Sequence, residues 1–441
     1  MTAHATKKSP NKQSVAWIFI IGLILGVIVV KQGNPIILYK YTTQTEPREL
    51  LEWIYMSWPT KVGFLLTLVA GLIALWCTQK IPKPLTAQLI LPISWLAWQT
   101  IVTLVTNEAK TPAIVLLHFA CELAWFYIGV LAIRPHLEKW IPWAGLVCGL
   151  GIIILFGFDQ RFGGLEQTRK FFWEHIYPTL PNPDPELIKR MYSNRIFSTL
   201  FYPNTLASVL ILCTPIVLWS IWNMESIFKK DARVLLIIVF SAGAFLCLVW
   251  SGSKAGWIIA LCQLTIAGYF LPVNPQLKRI FLILVLLAGM IGFLYRYHAY
   301  LQKGAPSAEA RLYYWKAALK LTAQNPLFGI GQGNFGRYYA KIKPPEAEMA
   351  KLVHNDYLQQ AVESGIPGFI LFLSAVGVCM LNATRQAIRS PYSAVFCLWL
   401  GLIGWALQSF TEFGLYIPAV GWIAFCFLGC LAIPVNETHG R

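Results

Sequence analysis

The chain has 441 residues, 56% of them hydrophobic and only 13% charged, with a formal net charge of +16 at pH 7. This balance excludes an ordinary soluble globular protein, in which about a quarter of residues are charged. Nor does the positive charge point to nucleic acid, because the basic residues are spread through connections between apolar runs; anionic lipid and diphosphate are the expected partners.

The apolar runs follow one another from the amino terminus. Each is close to the roughly 20 residues a helix needs to cross a hydrocarbon core about 30 Å thick. The first, Val15 to Val30, follows Lys7, Lys8 and Lys12. It lacks a small-x-small cleavage site and continues into Lys31-Gln32-Gly33-Asn34-Pro35, so it is expected to be an uncleaved span beginning near 15 and ending near 32. Further spans are expected near 61–77, 85–105, 113–133, 140–157, 203–223, 233–251, 254–271, 279–296, 366–382, 391–409 and 416–433. The expected fold class is therefore all-α, a polytopic membrane protein of about twelve transmembrane helices. All ten cysteines lie in apolar segments, which argues against a disulfide framework or a CxxC metal site.

Charge placement sets the expected orientation. Lys80 with Lys83, Arg134 with Lys139, Lys229 and Lys230 with Arg233, Lys278 with Arg279, and Arg385 with Arg389 fall in alternate connections, as cytoplasmic loops require. Lys110 is the one basic residue of a short outer connection, and residues 410–415 carry none. Both termini are thereby expected in the cytoplasm, as tails 1–14 and 434–441. Spans one to nine occupy 15–296 with an outer loop at 158–202; a large outer loop follows at 297–365, and spans ten to twelve occupy 366–433. In the first loop a turn cluster is expected at Pro178 to Pro185 and a short helix at Glu186 to Asn194. In the second, one helix is expected from an N-cap at Ser307 to Gln324, and another after Pro344-Pro345, ending at Gly365.

The candidate chemical groups gather in these outer connections. Gly331-Gln-Gly333-Asn-Phe-Gly336 formally fits a dinucleotide fingerprint, but no strand precedes it and no βαβ unit surrounds it, so it is read as a tight loop approaching membrane or substrate. Arg311 and Trp315 share one helix face, as a site or as an interfacial anchor. His354 lies beside a polar row of Asn355, Gln359 and Glu363, opposite Leu352, Leu358 and Val362; such a face serves either a site or an amphipathic helix on the bilayer. Arg195 and Lys254 are further cations at the same side. His118 and Glu122, four apart inside the fourth span, are either functional or a buried pair holding helices together. Two ligands alone make a weak metal site.

At these residues the sequence resembles the O-antigen ligase and polymerase superfamily of bacterial membrane glycosyltransferases. Arg195 followed by Pro203-Asn204-Thr-Leu-Ala207, the turn Ser251-Gly-Ser253-Lys254-Ala-Gly-Trp257, and the loop residues Arg311-x-x-x-Trp315, Asn325-Pro-Leu-Phe-Gly-Ile-Gly331 and His354-Asn355 carry the likeness. Lys254 departs from the arginine usual there, keeping the charge but not a planar bidentate grip. The resemblance implies transfer of a glycan from an undecaprenyl-diphosphate carrier to an acceptor hydroxyl at the periplasmic face of the bacterial inner membrane. The acceptor would be lipid A core (ligase), a growing polysaccharide (polymerase) or a protein (O-oligosaccharyltransferase). It implies His354 and Arg311 as catalytic residues, with Arg195, Lys254, Asn355 and Trp315 binding substrate. No soluble cofactor and no metal is called for, since fixed cations meet the diphosphate charge and the outer loops hold no DxD pair. A polysaccharide or lipid transporter or flippase is the rival class, and it should show repeated halves and broken helices around a midplane site.

Overall fold

The computed structural model describes residues 12–39, 47, 50–78, 86–106, 111–180, 188, 191–200 and 202–433. Both terminal tails lie wholly or largely outside these, as do Lys80 and Lys83, Lys110 and most of the turn cluster before Pro185; of the short helix expected over 186–194 four residues lie outside, and the described Ser193 and Asn194 are not helical.

Among the described residues the protein is helical and contains no strand. The α-helices are α1 (Lys12–Lys31), α2 (Leu50–Tyr55), α3 (Thr60–Cys77), α4 (Ala87–Thr106), α5 (Thr111–Ile128), α6 (Ala144–Asp159), α7 (Leu165–Phe171), α8 (Pro203–Trp222), α9 (Lys230–Ser251), α10 (Lys254–Tyr269), α11 (Pro275–Gln302), α12 (Pro306–Gln324), α13 (Phe335–Ile342), α14 (Asp356–Arg389), α15 (Ala394–Gln408) and α16 (Pro418–Leu431). Eight helical stretches among the described residues are long and apolar enough to cross a membrane: α3, α4, the continuation of α5, the continuation of α6, α8, α9, α11 and α14. Three of the remaining expected spans, in α1, α15 and α16, are shorter apolar helices, and the fourth is the 16-residue α10. The chain is thus a multi-pass membrane protein.

Small residues let the helices approach. Gly22 and Gly26 of α1 meet Gly145 and Gly149 of α6 backbone to backbone, and Gly129 after α5 and Gly429 of α16 do the same across their contact. In an apolar solvent such close packing replaces the hydrophobic drive that assembles helices in water. Every residue of α16 is buried, so α16 is the centre of the bundle, with α8 and α15 beside it. The apolar window of α11 buries nothing, and Ile280, Ile283, Leu284, Leu287, Ile291 and Leu294 face outward as a lipid-facing helix requires.

The large connection between α11 and α14 is a folded layer with its own core. Tyr314, Ala318 and Leu321 from α12 pack with Phe335 and Tyr339 of α13 and with Val353 and Val362. Its elements differ from expectation in four respects. The α11 helix runs on to Gln302, so the connection starts later than 297. Ala305, with φ 53°, takes the N-cap position of α12, while Ser307 sits inside the helix with its hydroxyl 2.8 Å from the Tyr300 hydroxyl. A short helix, α13, follows the glycine run. The last helix starts at Asp356 rather than after Pro344-Pro345, and it continues past Gly365 to Arg389 through a break at that residue, where φ is 71°. At this break the Ile366 amide leaves the helix ladder and donates to the carbonyl of Pro326, 2.8 Å away.

The glycine run is a clamp onto the membrane helices. Ile330 and Gly331 donate to the carbonyls of Val362 and Glu363 at 2.9 and 3.0 Å. Gln332, fully buried, donates to the carbonyl and the side chain of Gln99 on α4 and accepts from Thr103.

Candidate functional site

Four separate connections meet at one end of the bundle. Arg195 lies in the extended stretch before α8. The turn between α9 and α10 is made by Gly252 at φ 62°, after which the Ser253 side chain caps α10 by accepting from the Gly256 amide at 3.2 Å. The Arg195 side chain is laid across this turn: its Nε donates to the Ser251 carbonyl at 2.6 Å, and a Cβ on Gly252 would stand 3.2 Å from that Nε. Lys254, the first residue of α10, is thereby placed beside Arg195.

The group that organises the site is Glu412, in the connection between α15 and α16. It is 5% exposed and accepts at Oε1 from Arg311 Nη2 and from Asn204 Nδ2, both at 2.6 Å. Asn204 in turn accepts from Arg195 Nη2 at 2.6 Å, so the amide at the start of α8 bridges Arg195 to the carboxylate. Arg311 completes its fork with the carbonyls of Thr411 and Ser307, each at 2.9 Å. His354 brings Nδ1 to 3.7 Å from Glu412 Oε2. Burial alone would raise the Glu412 carboxyl, but Arg311, His354 and Arg195 outweigh it and hold the group below the usual carboxylate range. Burial lowers the Arg195 guanidinium, and Glu412 works against that shift.

The histidine itself is held in an unusual backbone state. Its φ is 54°, a left-handed conformation that costs a non-glycine residue on the order of 1–3 kcal/mol. Phe413 meets the ring edge-on at 4.8 Å and Tyr314 covers it at 5.8 Å. The imidazole stays 30% exposed, and with Nδ1 turned to the carboxylate its Nε2 has no protein partner among the described residues.

Each sequence candidate can now be placed. Arg195, Arg311 and His354 are drawn together by one carboxylate. Lys254 flanks them, its ammonium 4.0 Å from the centroid of the Tyr300 ring. Asn355 acts on the backbone: its Oδ1 accepts from the Leu358 amide at 3.0 Å and so starts α14 directly after His354. Trp315 packs against the core of the loop layer. The polar row is no bilayer-facing surface, because Gln359 and Glu363 are buried along with Val362 on the opposite side.

Sequence reasoning missed Glu412 and the bridging amide of Asn204. The available signal was modest. Residues 410–415 contain a single acid and no base, while three cations on the same side had no counter-charge assigned.

Beneath Glu412 the segment 409–416 is pinned from the membrane side. The Asp356 amide donates to the Ser409 carbonyl at 2.8 Å, and the Leu415 amide donates to Asp356 Oδ2 at 3.1 Å. Tyr416 donates to Glu363 Oε2 at 2.8 Å. His118 receives the Trp422 indole N–H at Nδ1, 3.1 Å away, and faces the Leu415 carbonyl through Nε2 at 2.7 Å. Those contacts select the tautomer with the proton on Nε2. Glu122 Oε1 lies 3.3 Å from the same nitrogen, and it is His118, through the Leu415 carbonyl, that ties α5 to the connection that carries Glu412.

Comparison with known families bears on this cluster. Residues 235–373 match the O-antigen ligase family model. The O-antigen ligase segment covers about a third of the chain and places that part in the O-antigen ligase and polymerase superfamily. It contains Lys254, Arg311, Trp315, His354 and Asn355, whereas Arg195, Asn204 and Glu412 lie outside it and join by contact alone. Among curated proteins the sequence finds no match.

Proposed function

We propose that the protein is an O-antigen ligase-type glycosyltransferase of the bacterial inner membrane, crossing it about twelve times with both termini in the cytoplasm and the site at the periplasmic face. It moves a glycan from an undecaprenyl-diphosphate carrier to an acceptor hydroxyl, with lipid A core as the first candidate acceptor and a growing polysaccharide or a protein hydroxyl as the others. The observation that carries this reading is the convergence of Arg195, Arg311 and His354 on Glu412, with Lys254 alongside, around the segment that matches the O-antigen ligase model.

The chemistry follows from the positions. The acceptor O–H gives its proton to His354 Nε2 as the oxygen bonds to the anomeric carbon of the glycan. The bond from that carbon to the phosphate oxygen breaks, and its electron pair leaves with the lipid diphosphate. Lys254, Arg195 and Arg311 stabilise the charge gathering there, more strongly at a low-dielectric boundary than in water. Glu412 faces Nδ1 and favours the imidazolium that forms. On this reading fixed cations do the work of a divalent metal, and no soluble cofactor takes part.

The test supplies a purified undecaprenyl-diphosphate glycan to the reconstituted protein with each candidate acceptor in turn and follows which becomes labelled. His354→Ala should insert and fold yet lose most transfer, with general-base catalysis contributing about 10²–10⁴-fold. His354→Asn is the cleaner variant, because asparagine tolerates the left-handed backbone at this position. Transfer by both at the wild-type rate would sink the mechanism.

A further inference from the structure

The cations of the site are not equally engaged. Arg195 and Arg311 direct their N–H groups at Ser251, Asn204, Thr411, Ser307 and Glu412. Lys254 has no such partner. Among the described residues no carboxylate or carbonyl pairs with its half-buried ammonium, which rests over the ring of Tyr300 and 5.5 Å from the centre of the Tyr297 ring. Next to it Tyr297, on α11, is 4% exposed, and its hydroxyl is buried with no hydrogen-bond partner among the described residues. Phe293 at 5.0 Å and Trp257 at 6.4 Å hold the ring in place. The phenol is also close enough to Arg195 for the two to interact electrostatically.

An unpaired buried hydroxyl is costly, and so is a desolvated ammonium without an anion. Here both occur at one spot, and both are donors. They lie at the first turn of α10, a 16-residue helix whose amino-terminal dipole also favours negative charge. The matching ligand is an anion with several acceptor oxygens.

We propose that Tyr297 and Lys254 form a phosphate seat, in which the Tyr297 O–H donates to a phosphoryl oxygen whose charge the Lys254 ammonium neutralises. The assignment of that phosphate to the glycan donor rests on the function proposed above; the seat itself requires only a phosphate group. Two sources share this chemistry, the diphosphate of a lipid-linked glycan and the headgroup of an anionic phospholipid, and the donor is the one assigned. The His354 imidazole, paired with Glu412, then lies on the acceptor side of the reacting carbon.

Tyr297→Phe keeps the ring and deletes only the hydroxyl. Inorganic diphosphate should raise the unfolding temperature of the wild type in nanodiscs, with an affinity about tenfold weaker in the variant. The apparent KM for the lipid-linked donor should rise by a similar factor while the KM for the acceptor stays level. Without ligand the variant should be at least as stable as the wild type, since an unsatisfied hydroxyl has gone; a merely structural hydroxyl would give the opposite change. Lys254→Ala should lower diphosphate affinity further, and Lys254→Arg should recover it in part.

Equal diphosphate affinity and donor KM in wild type and Tyr297→Phe overturn the proposal, as does a variant that is simply less stable with both KM values unchanged. If the two proteins differ only in nanodiscs containing phosphatidylglycerol and not in neutral phosphatidylcholine, the seat holds a headgroup and the donor assignment falls. A wild type that transfers no glycan but loses diphosphate affinity on Tyr297→Phe keeps the seat and removes the functional reading. One that transfers glycan regardless of the hydroxyl does the reverse.

Discussion

A single carboxylate decides the electrostatics of the site. Glu412 is buried against the Arg311 guanidinium and is joined to Arg195 through Asn204, and removing one partner of such a cluster leaves charge uncompensated at a cost of roughly 3–5 kcal/mol. Glu412→Gln is therefore expected to lower both thermal stability and transfer. Its pH dependence has a definite sign. The folded protein holds the Glu412 carboxyl below its unfolded value, so the stabilisation is fully present above the ordinary carboxylate range near pH 4.3 and is lost as pH falls through the folded value. The gap in unfolding temperature between wild type and Glu412→Gln should be wide at pH 7 and should narrow steadily on acidification toward pH 4 and below. A gap of constant width would show that the carboxylate is not the charged partner of Arg311. The cations of this cluster were legible in the sequence because a charge flanked by apolar runs stands out. Glu412 was not, since its meaning comes from Arg311 and Asn204, which lie 101 and 208 residues away along the chain.

At the scale of elements, the site depends on how the loop layer is fastened to the membrane helices. The apolar spans could be read directly, because a bilayer demands continuous runs of a fixed length. The loop layer could be read only in part, because its helix starts are set by tertiary contacts. Pro344-Pro345 looks like a helix entry, yet α14 waits until Asn355 can cap it, with His354 held left-handed by Phe413 and Tyr314. The glycine run was legible in kind but not in detail: it was read as a tight loop approaching membrane or substrate rather than a nucleotide loop, and the structure presses it on α14 and α4. Gly329 has φ 68°, and a Cβ there would stand 2.6 Å from the Val362 carbonyl oxygen and 2.5 Å from the Glu363 carbonyl carbon. Gly304 has φ 74° with nothing within 4 Å. Both pay for a left-handed alanine, about 1–3 kcal/mol by the general cost of such backbone, but only Gly329 adds a clash with atoms that cannot move aside. Unfolding temperatures should therefore run wild type, then Gly304→Ala, then Gly329→Ala, and only the last should also reduce glycan transfer. Equal effects of the two alanines would mean that the run is not pressed against α14.

For the molecule as a whole, the question is which side of the membrane the site occupies. The directions of the helices make this a single decision. α9 runs from Lys230 to the turn at Ser251, α11 from Pro275 to Gln302 and α14 from the break at Gly365 to Arg389, so Lys229, Lys230, Lys278, Arg279, Arg385 and Arg389 all lie at the end opposite Arg195, Lys254, Arg311 and His354. Each cluster of loop lysines and arginines favours the cytoplasm, and their agreement at one end supports the proposed placing of the site at the other. Two single cysteines in a background with the native cysteines replaced test it in intact cells. Glu346→Cys, in the exposed loop layer, should react with an impermeant thiol reagent added outside, and Lys278→Cys should react only after the membrane is opened. The reverse pattern would put His354 and the cation cluster in the cytoplasm. Sugar nucleotides are the available donors there, and the lipid-diphosphate reading would fall along with the topology.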